Sequence, residues 1–213
     1  MMHRSAFRLS CALLAALVVG CGDDGPSGND DPGLVIAPAF RGVPETDTLR
    51  LTATFNGEPI AVTWETQDAT IATVSATGLV TGLKPGFVAI TARASNQELR
   101  SASITVLPVP VLTSGTAVTI SGTGARGTAA YRKIVVPAGA TNLSVTISGG
   151  SGDVDMAVRR GAVPTLSSND CVSEEAGNAE TCTIANPAAG TWFILLYLWN
   201  PYAGASLRAT VTP

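Results

Sequence analysis

The stretch GTWFILLYLWNPYAGASLRATV, residues 190–211, decides between a membrane protein and a β-sheet protein. Residues 192–199 are all large and apolar, and Asn200 and Pro201 end the block. A membrane-spanning helix needs about 20 consecutive apolar residues, so this block is too short to cross a bilayer. The run of Ala, Thr and Val around Arg208 is typical of a further strand. The stretch therefore predicts strands in the core of a folded domain.

Successive side chains of a strand point to opposite faces, so residues 192–199 divide into two sets. The set richer in aliphatic residues is predicted to face the core: Trp192, Ile194, Leu196 and Leu198. The other set, with one aromatic residue of the following turn, is predicted to face outward: Phe193, Leu195, Tyr197, Trp199 and Tyr202. Its aromatic members, Phe193, Tyr197, Trp199 and Tyr202, are the predicted ligand-binding residues. Contiguous exposed apolar patches usually mark interaction sites, and aromatic rings suit stacking on sugars or packing on a protein. The alternative is that the other domain or a loop covers this face.

The rest of the chain has the composition of an antiparallel β protein. Its 213 residues include 22 Gly and 13 Pro, and short runs rich in Val, Ile and Thr recur between turn-forming residues. In LRLTATF, residues 49–55, apolar and polar side chains alternate as in a half-buried strand. The segment LPVPVLTSG, with two prolines, predicts a semi-rigid linker. We therefore predict an all-β protein with domains at residues 34–107 and 115–213 and a linker at 108–114.

The N-terminus has the layout of an export signal, in which Arg4 and Arg8 precede a short apolar run. The run ends in LVVGC, residues 17–21, which resembles the lipobox of bacterial lipoproteins. This resemblance implies that residues 1–20 are cleaved and that Cys21 becomes the lipid-carrying first residue. An ordinary signal peptide with an incidental cysteine is the alternative.

The residues after Cys21 are turn formers and acids, GDDGPSGNDDPG, which cannot bury apolar area. They predict a flexible tether over residues 21–33. Gly22, rather than Asp, follows the cysteine, which by resemblance to enterobacterial sorting rules favours the outer membrane. We therefore expect an outer-membrane lipoprotein of the bacterial envelope, held by its lipid anchor and facing the cell surface or the periplasm.

Charge and histidine content argue against two classes of function. Loss of residues 1–20 leaves 11 basic and 16 acidic residues, a net charge of −5, with only two lysines and no basic cluster. Nucleic acid is therefore not an expected partner. The only histidine, His3, lies in the predicted signal, so the mature chain lacks histidine bases, Ser/His/Asp triads and the usual zinc ligands. No enzymatic activity and no cofactor are expected.

Acidic residues offer the remaining chemistry. Asp153 and Asp155 are two apart on a predicted strand and so share a face, while Asp170, Glu174 and Glu175 cluster in a loop. Either set could bind calcium through carboxylate oxygens, or could be a solvated strand edge and a solvated loop. The sequence leaves both readings open, and we assign no metal ligand from it.

Two cysteines remain after the signal, Cys171 and Cys182, within the acidic stretch NDCVSEEAGNAETCTI. Export to an oxidising compartment makes a disulfide the default for such a pair. No histidine or third cysteine stands nearby in the sequence, which argues against a metal site. We predict that the pair forms a disulfide bond.

The first domain contains VTWETQDATIATVSATGLVTGLKPGFVAITARA, residues 62–94. This stretch resembles the bacterial immunoglobulin-like (Ig-like) domain of the second group. The resemblance implies an Ig-like β-sandwich that acts as a spacer or adhesion module, without catalytic residues. Trp64 is expected in its core, and Gly78, Gly82 and Gly86 are expected in turns that need unusual backbone angles.

The second domain contains YRKIVVPAGATNLSVTISGGSGDVDMAVRRG, residues 131–161, and NPAAGTWFILLYLWNPYAGASLRATV, residues 186–211. These stretches resemble the bacterial pre-peptidase C-terminal domain, a jelly-roll-like β-sandwich found behind secreted bacterial peptidases. The Ig-like segment before it is too small to hold a peptidase, so the family's usual association is not expected in this chain.

These observations together predict a non-enzymatic, lipid-anchored envelope protein. It would present a β-sandwich module that binds or adheres to an extracellular polysaccharide or protein. The alternative is a structural spacer, or an accessory subunit of a secreted peptidase system, without a ligand site of its own.

Overall fold

The computed structural model describes residues 33–213, which form strands, turns and loops. The predicted signal peptide, Cys21 and nearly all of the predicted tether lie outside the described residues. Within the described range, the chain has no helix long and apolar enough to span a membrane. The prediction of an all-β protein made of β-sandwiches is confirmed.

Short strands with alternating burial build the first domain. Leu51 and Ala53 are buried while Thr52 between them is exposed, as the alternation in LRLTATF predicts. The strands of this domain are β1 (Leu34–Ala37), β2 (Phe40–Pro44), β3 (Thr48–Arg50), β4 (Thr52–Phe55), β5 (Glu58–Pro59), β6 (Thr63–Thr66), β7 (Ala72–Val74), β8 (Leu79–Gly82), β9 (Gly86–Arg93) and β10 (Leu99–Leu107).

These strands form three small sheets in the orders β1-β4-β5, β2-β10-β9-β6 and β3-β8-β7. Strands β2 and β10 run parallel, and the other pairs are antiparallel. Buried side chains from all three sheets share one apolar core, which includes Leu34, Leu51, Val80, Ile90 and Ile104.

Trp64, predicted in the core, is partly buried and packs against it. Gly78 adopts a φ of 80°, as a turn glycine is expected to do. The prediction was wrong for Gly82 and Gly86, which are not among the positive-φ glycines. A Cβ at Gly82 or Gly86 would lie 2.9 or 3.0 Å from its nearest neighbouring atom. Close packing, not backbone angle, therefore favours glycine at these two positions.

The segment predicted as a linker packs against both domains. Val109 and Leu112 are buried, and Leu112 belongs to the core of the second domain. Leu112 N donates to Lys133 O at 2.7 Å, and Lys133 N donates to Pro110 O at 3.0 Å. Glu45 of the first domain accepts a hydrogen bond from Val109 N at 3.0 Å. The segment therefore forms a short edge of the second domain, while the domain boundaries at 107 and 115 stay a prediction.

The second domain is organised around its last strand. Strands form in stretches rich in Val, Ile and Thr, such as NLSVTIS at residues 142–148 and ETCTIA at residues 180–185. The strands are β11 (Ala117–Gly122), β12 (Ala129–Val136), β13 (Asn142–Ser148), β14 (Ser151–Arg160), β15 (Cys171–Ser173), β16 (Glu180–Ala185) and β17 (Gly190–Thr212).

Strand β17 is shared between two groups of strands. Its first half lies between β12 and β14, and its second half lies between β11 and β13. The sequence predicted two strands here, separated by a turn at Tyr202 to Gly204. That prediction was wrong, because Tyr202 pairs with Gly122 and Ala203 pairs with Ser151, so the pairing continues through the supposed turn.

The two halves of β17 contribute to one core. Ile194 and Leu196 from the first half are buried in the same cluster as Leu207 from the second half. The predicted disulfide is present between Cys171 in β15 and Cys182 in β16, with a Cα–Cα distance of 5.8 Å. Since β15 pairs with β14 and β16 pairs with β13, the disulfide joins the outer strands of the two groups.

Candidate functional site

The face of β17 predicted to be exposed is mostly covered. Phe193 is only 7% exposed and Leu195 only 4%, while Tyr197 is half-buried. The set predicted to face the core, Trp192, Ile194, Leu196 and Leu198, is buried as expected. The expected exposed patch of Phe193, Leu195, Tyr197, Trp199 and Tyr202 is therefore wrong as a whole, and only Trp199 remains clearly exposed.

Neighbours in the sheet explain why Phe193 is covered. The register sets Phe193 between Lys133 of β12 and Arg159 of β14 on the same face. Long basic side chains bury apolar surface along their methylene stems while their charged ends remain in water. Burial raises the pKa of Tyr131, and the negative charge of Asp47 raises it further, so this face also lies close to the first domain.

Tyr202 is buried because β17 does not turn where the sequence predicted. It is 3% exposed and belongs to the core of the second domain. The period of two that places Leu198 inside also places Tyr202 inside once the strand continues past Pro201. Gly204, with a φ of 69°, follows, and the buried positions beyond it shift to Ala205 and Leu207.

Trp199 owes its exposure to an irregularity in the pairing of β17 with β14. Asp153 pairs with Asn200 but Val154 pairs with Leu198, which leaves Trp199 as the extra residue of a β-bulge. The Trp199 side chain is 38% exposed, and the Arg126 guanidinium carbon lies 3.0 Å from the centroid of its ring. This contact is a cation–π interaction that the sequence did not indicate.

Trp199 forms one wall of an acidic cavity of about 400 Å³. Here the fold brings together two pairs of acidic residues, Asp153 with Asp155 and Glu174 with Glu175, which the sequence analysis treated as two separate sets. The lining residues are Asp153, Asp155, Glu174, Glu175, Ala176 and Trp199. The fifth acidic candidate, Asp170, is used elsewhere, since it accepts a hydrogen bond from Arg160 N at 2.8 Å.

Four buried side-chain oxygens at this site have no hydrogen-bond partner: Asp153 Oδ1, Asp155 Oδ2, Asn178 Oδ1 and Glu180 Oε1. Asp155 is 3% exposed, Asn178 8% and Glu180 0%. Sequence reasoning missed Asn178 and Glu180. Their position between Glu175 and Cys182, within the same acidic stretch, was the available signal.

Other atoms of these side chains are fixed in place. Asn178 Nδ2 donates to the carbonyls of Gly149 and Ser151 at 2.9 and 3.1 Å, which turns Oδ1 away from them. Glu180 Oε2 accepts a hydrogen bond from Glu175 N at 3.4 Å, which leaves Oε1 unpaired. The unpaired oxygens are therefore held by the fold.

The electrostatics of the site disfavour its negative charges. Burial and, to a smaller extent, the negative charges of Asp153, Glu180 and Glu174 raise the pKa of Asp155 to about 6, while Arg126 opposes the shift. Burial also raises the pKa of Glu180. Such an arrangement accepts hydrogen bonds or positive charge and offers no base–nucleophile pair.

Within residues 33–213, no group of three or more His, Cys, Asp or Glu side chains could by itself hold a metal ion.

Comparison with known proteins identifies both domains. Residues 41–106 match the family model of the bacterial Ig-like domain (group 2). Residues 128–198 match the family model of the bacterial pre-peptidase C-terminal domain. No curated protein matches the chain.

Several solved structures are similar to about half of the chain. The solution structure of vEP C-ter 100 is 32% identical, with coverage of 47% of this chain and 98% of that one and a TM-score of 0.40. The pre-peptidase C-terminal domain of collagenase from Bacillus anthracis is 11% identical, with coverage of 49% and 96% and a TM-score of 0.40. PliG, a periplasmic lysozyme inhibitor from Aeromonas hydrophila, is 20% identical, with coverage of 50% and 96% and a TM-score of 0.39.

The two family models match in the order that the sequence resemblances predicted. Both are non-catalytic types of module from bacterial extracellular or periplasmic proteins, which suits a binding or accessory role. The chain therefore contains a bacterial Ig-like domain of group 2 followed by a bacterial pre-peptidase C-terminal domain.

Proposed function

We propose that this protein is a non-enzymatic, lipid-anchored envelope protein whose second domain binds an extracellular polysaccharide beside Trp199. The observation that carries the proposal is the indole of Trp199, exposed at the wall of an acidic cavity on a domain whose other aromatic side chains are buried or half-buried. An aromatic ring next to fixed acceptors is the usual way to hold a sugar, which stacks on the ring and donates its hydroxyls.

The chemistry of the cavity supports a hydroxyl-rich ligand. Asp153 and Asp155 present carboxylate oxygens that lack protein donors, and a sugar hydroxyl is a donor that could pair with them. The volume of about 400 Å³ falls in the range of small-ligand sites, large enough for one or two sugar units. A protein ligand would have to insert a single side chain instead.

The anchor belongs to the same proposal and rests on the sequence. Cys21 would carry the lipid, residues 21–33 would form the tether, and the Ig-like domain would hold the binding domain away from the membrane. Orientation toward the cell surface or the periplasm, and placement in the outer membrane, are parts of this proposal.

Binding can be tested by sedimentation of the purified chain with insoluble polysaccharides. Peptidoglycan sacculi, chitin and cellulose are suitable probes. We expect retention on at least one of them, and we expect Trp199→Ala to lower the retained fraction at least about tenfold, as loss of a central aromatic contact does. Phe87→Ala is the matched control, because Phe87 is an exposed aromatic residue of the first domain.

Equal retention of the wild-type chain and the Trp199→Ala variant would contradict a site at Trp199. Failure of every probe to retain the wild-type chain would favour the second candidate, a spacer or an accessory subunit of a secreted peptidase system. The burial of Phe193 and Leu195 favours that candidate, because the face of β17 that the sequence predicted to bind a ligand is covered by other residues of the chain.

A further inference from the structure

The four unpaired oxygens around the acidic cavity are unusual for a folded protein. Asp155, Asn178 and Glu180 are each more than nine-tenths buried, and each has an acceptor atom without a donor. A buried polar atom without a partner is destabilising, and folded proteins contain few of them. Several in one place indicate that something with positive charge or hydrogen-bond donors occupies the site.

The protein itself does not supply that group within its described residues. The amide of Asn178 donates to two backbone carbonyls, and Arg126 lies against the ring of Trp199. The ion pair found in the described part of the chain joins Arg100 to Glu98 in the first domain. A proton on one carboxylate would create one donor, which cannot satisfy four acceptors.

We propose that Asp153, Asp155, Asn178 and Glu180 bind a divalent cation, and that this cation is Ca²⁺. The available donors are carboxylate and amide oxygens, and no nitrogen or sulfur is among them. Hard cations select such oxygens, and zinc and copper prefer nitrogen or sulfur. Calcium tolerates irregular sites with mixed carboxylate, amide, carbonyl and water ligands, whereas magnesium needs near-octahedral geometry and keeps more water.

The ligands come from two parts of the second domain. Asp153 and Asp155 lie on β14, while Asn178 and Glu180 lie in and after the loop between β15 and β16. Val154 N donates to Gly177 O at 3.4 Å, so the loop already lies along β14. A bound cation would join this loop to the strand, next to the disulfide that closes the same side of the domain. The cation is therefore expected to stabilise the second domain whether or not a polysaccharide binds.

The primary experiment titrates chelator-treated full-length protein with CaCl₂ and follows thermal unfolding. A Kd of about 10⁻⁴–10⁻³ M is expected, as in extracellular calcium modules. At about tenfold excess over Kd, the unfolding temperature of the second domain should rise by about 5 °C. An equal ionic strength of NaCl should not reproduce the shift, and MgCl₂ should give a smaller one.

Terbium luminescence locates the ion independently of stability. Tb³⁺ binds calcium sites, and Trp199 on the cavity wall is close enough to sensitise its emission. Luminescence should appear with the wild-type protein and disappear on addition of excess Ca²⁺. Trp199→Phe should lose the luminescence but keep the calcium-dependent thermal shift, since Trp199 is not one of the four proposed ligands.

Asp155→Asn and Glu180→Gln should each weaken calcium binding at least about tenfold, because each removes a charged ligand. Asp170→Asn is the matched control, because Asp170 lies in the same half of the domain but outside the cavity. If a ligand variant fails to fold, the wild-type and Trp199→Phe titrations still decide the question.

Two results would overturn the proposal: a wild-type protein with neither a calcium-dependent shift nor terbium luminescence, or ligand variants that bind calcium as well as the control does. Sedimentation with polysaccharides in the presence of chelator keeps this test separate from the proposed function. A protein that binds no calcium but is still retained by a polysaccharide would refute only the cation site.

Discussion

At the scale of single residues, Phe193 and Trp199 lie six positions apart on one strand and have opposite environments. Phe193 lies between two long side chains on a covered face, while Trp199 projects from a bulge. The sequence predicted the same exposed face for both, because period two places odd-numbered residues of a strand together. The alternation of side chains along a strand shows which residues share a face, but it does not show what covers that face.

This difference predicts unequal costs of truncation. Phe193→Ala should lower the free energy of unfolding by about 3 kcal/mol or more, as for buried aromatic residues. Trp199→Ala should cost about 1 kcal/mol or less, mainly through the lost contact with Arg126. Urea titration of both variants at equal protein concentration measures the two values. Equal small costs would show that the Phe193 face is exposed in solution and would revive the patch predicted from the sequence.

At the scale of elements, the segment made of β15, β16 and the loop between them contains both the disulfide and half of the acidic site. Cys171 and Cys182 lie 11 residues apart in the sequence, and within this segment Gly177 O accepts a hydrogen bond from Val154 N of β14 at 3.4 Å. The sequence predicted the disulfide because an exported chain with two cysteines normally pairs them. It did not predict that Asn178 in the loop and Glu180 at the start of β16 would each have a buried side-chain oxygen without a hydrogen-bond partner, as Asp153 and Asp155 on β14 do.

Removal of the disulfide should therefore act on one domain. In the chain-entropy model a loop of this length contributes about 3 kcal/mol, so Cys171→Ser combined with Cys182→Ser should lower the stability of the second domain by about that amount. The first domain has a separate apolar core, so its unfolding should change little. Differential scanning calorimetry in calcium-containing buffer resolves the two transitions. A loss of equal size in both transitions would mean that the packed linker joins the domains into one cooperative unit.

The strand β17 is the element whose course only the fold explains. Asn200, Pro201 and Gly204 are turn-forming residues, and the local sequence favours a hairpin. The pairing of Tyr202 with Gly122, and of Ala203 with Ser151, supplies hydrogen-bonding neighbours on both sides, so the chain remains extended. Close approach reinforces this course, because a Cβ at Gly152 would overlap the backbone of Pro201.

At the scale of the whole molecule, two β-sandwich domains follow, along the chain, a segment that is predicted to attach them to a membrane. Cys21→Ser should release the protein from the membrane fraction, because the acyl chains contribute about 0.8 kcal/mol per buried CH₂ and no other anchor is predicted. Phase separation in Triton X-114 measures this, with native protein in the detergent phase and the variant in the aqueous phase. Cys11→Ser is the control, and it should partition like the native protein. Persistence of the Cys21→Ser protein in the detergent phase would refute lipidation as the anchor.

The sequence by itself determined the all-β class, the order of the two domains, the buried set of β17 and the disulfide. The all-β class and the buried set follow from local pattern, because alternation and turn residues act within a few residues along the chain. The order of the domains follows from the resemblance to two families, and the disulfide follows from the cysteine count and the predicted export. Only the tertiary structure decided that Phe193, Leu195 and Tyr202 are covered, that β17 is continuous, and that four unpaired oxygens share one side of the domain. Each of these depends on contacts between segments distant in sequence, and burial is a property of both partners in a contact rather than of the residue that becomes buried.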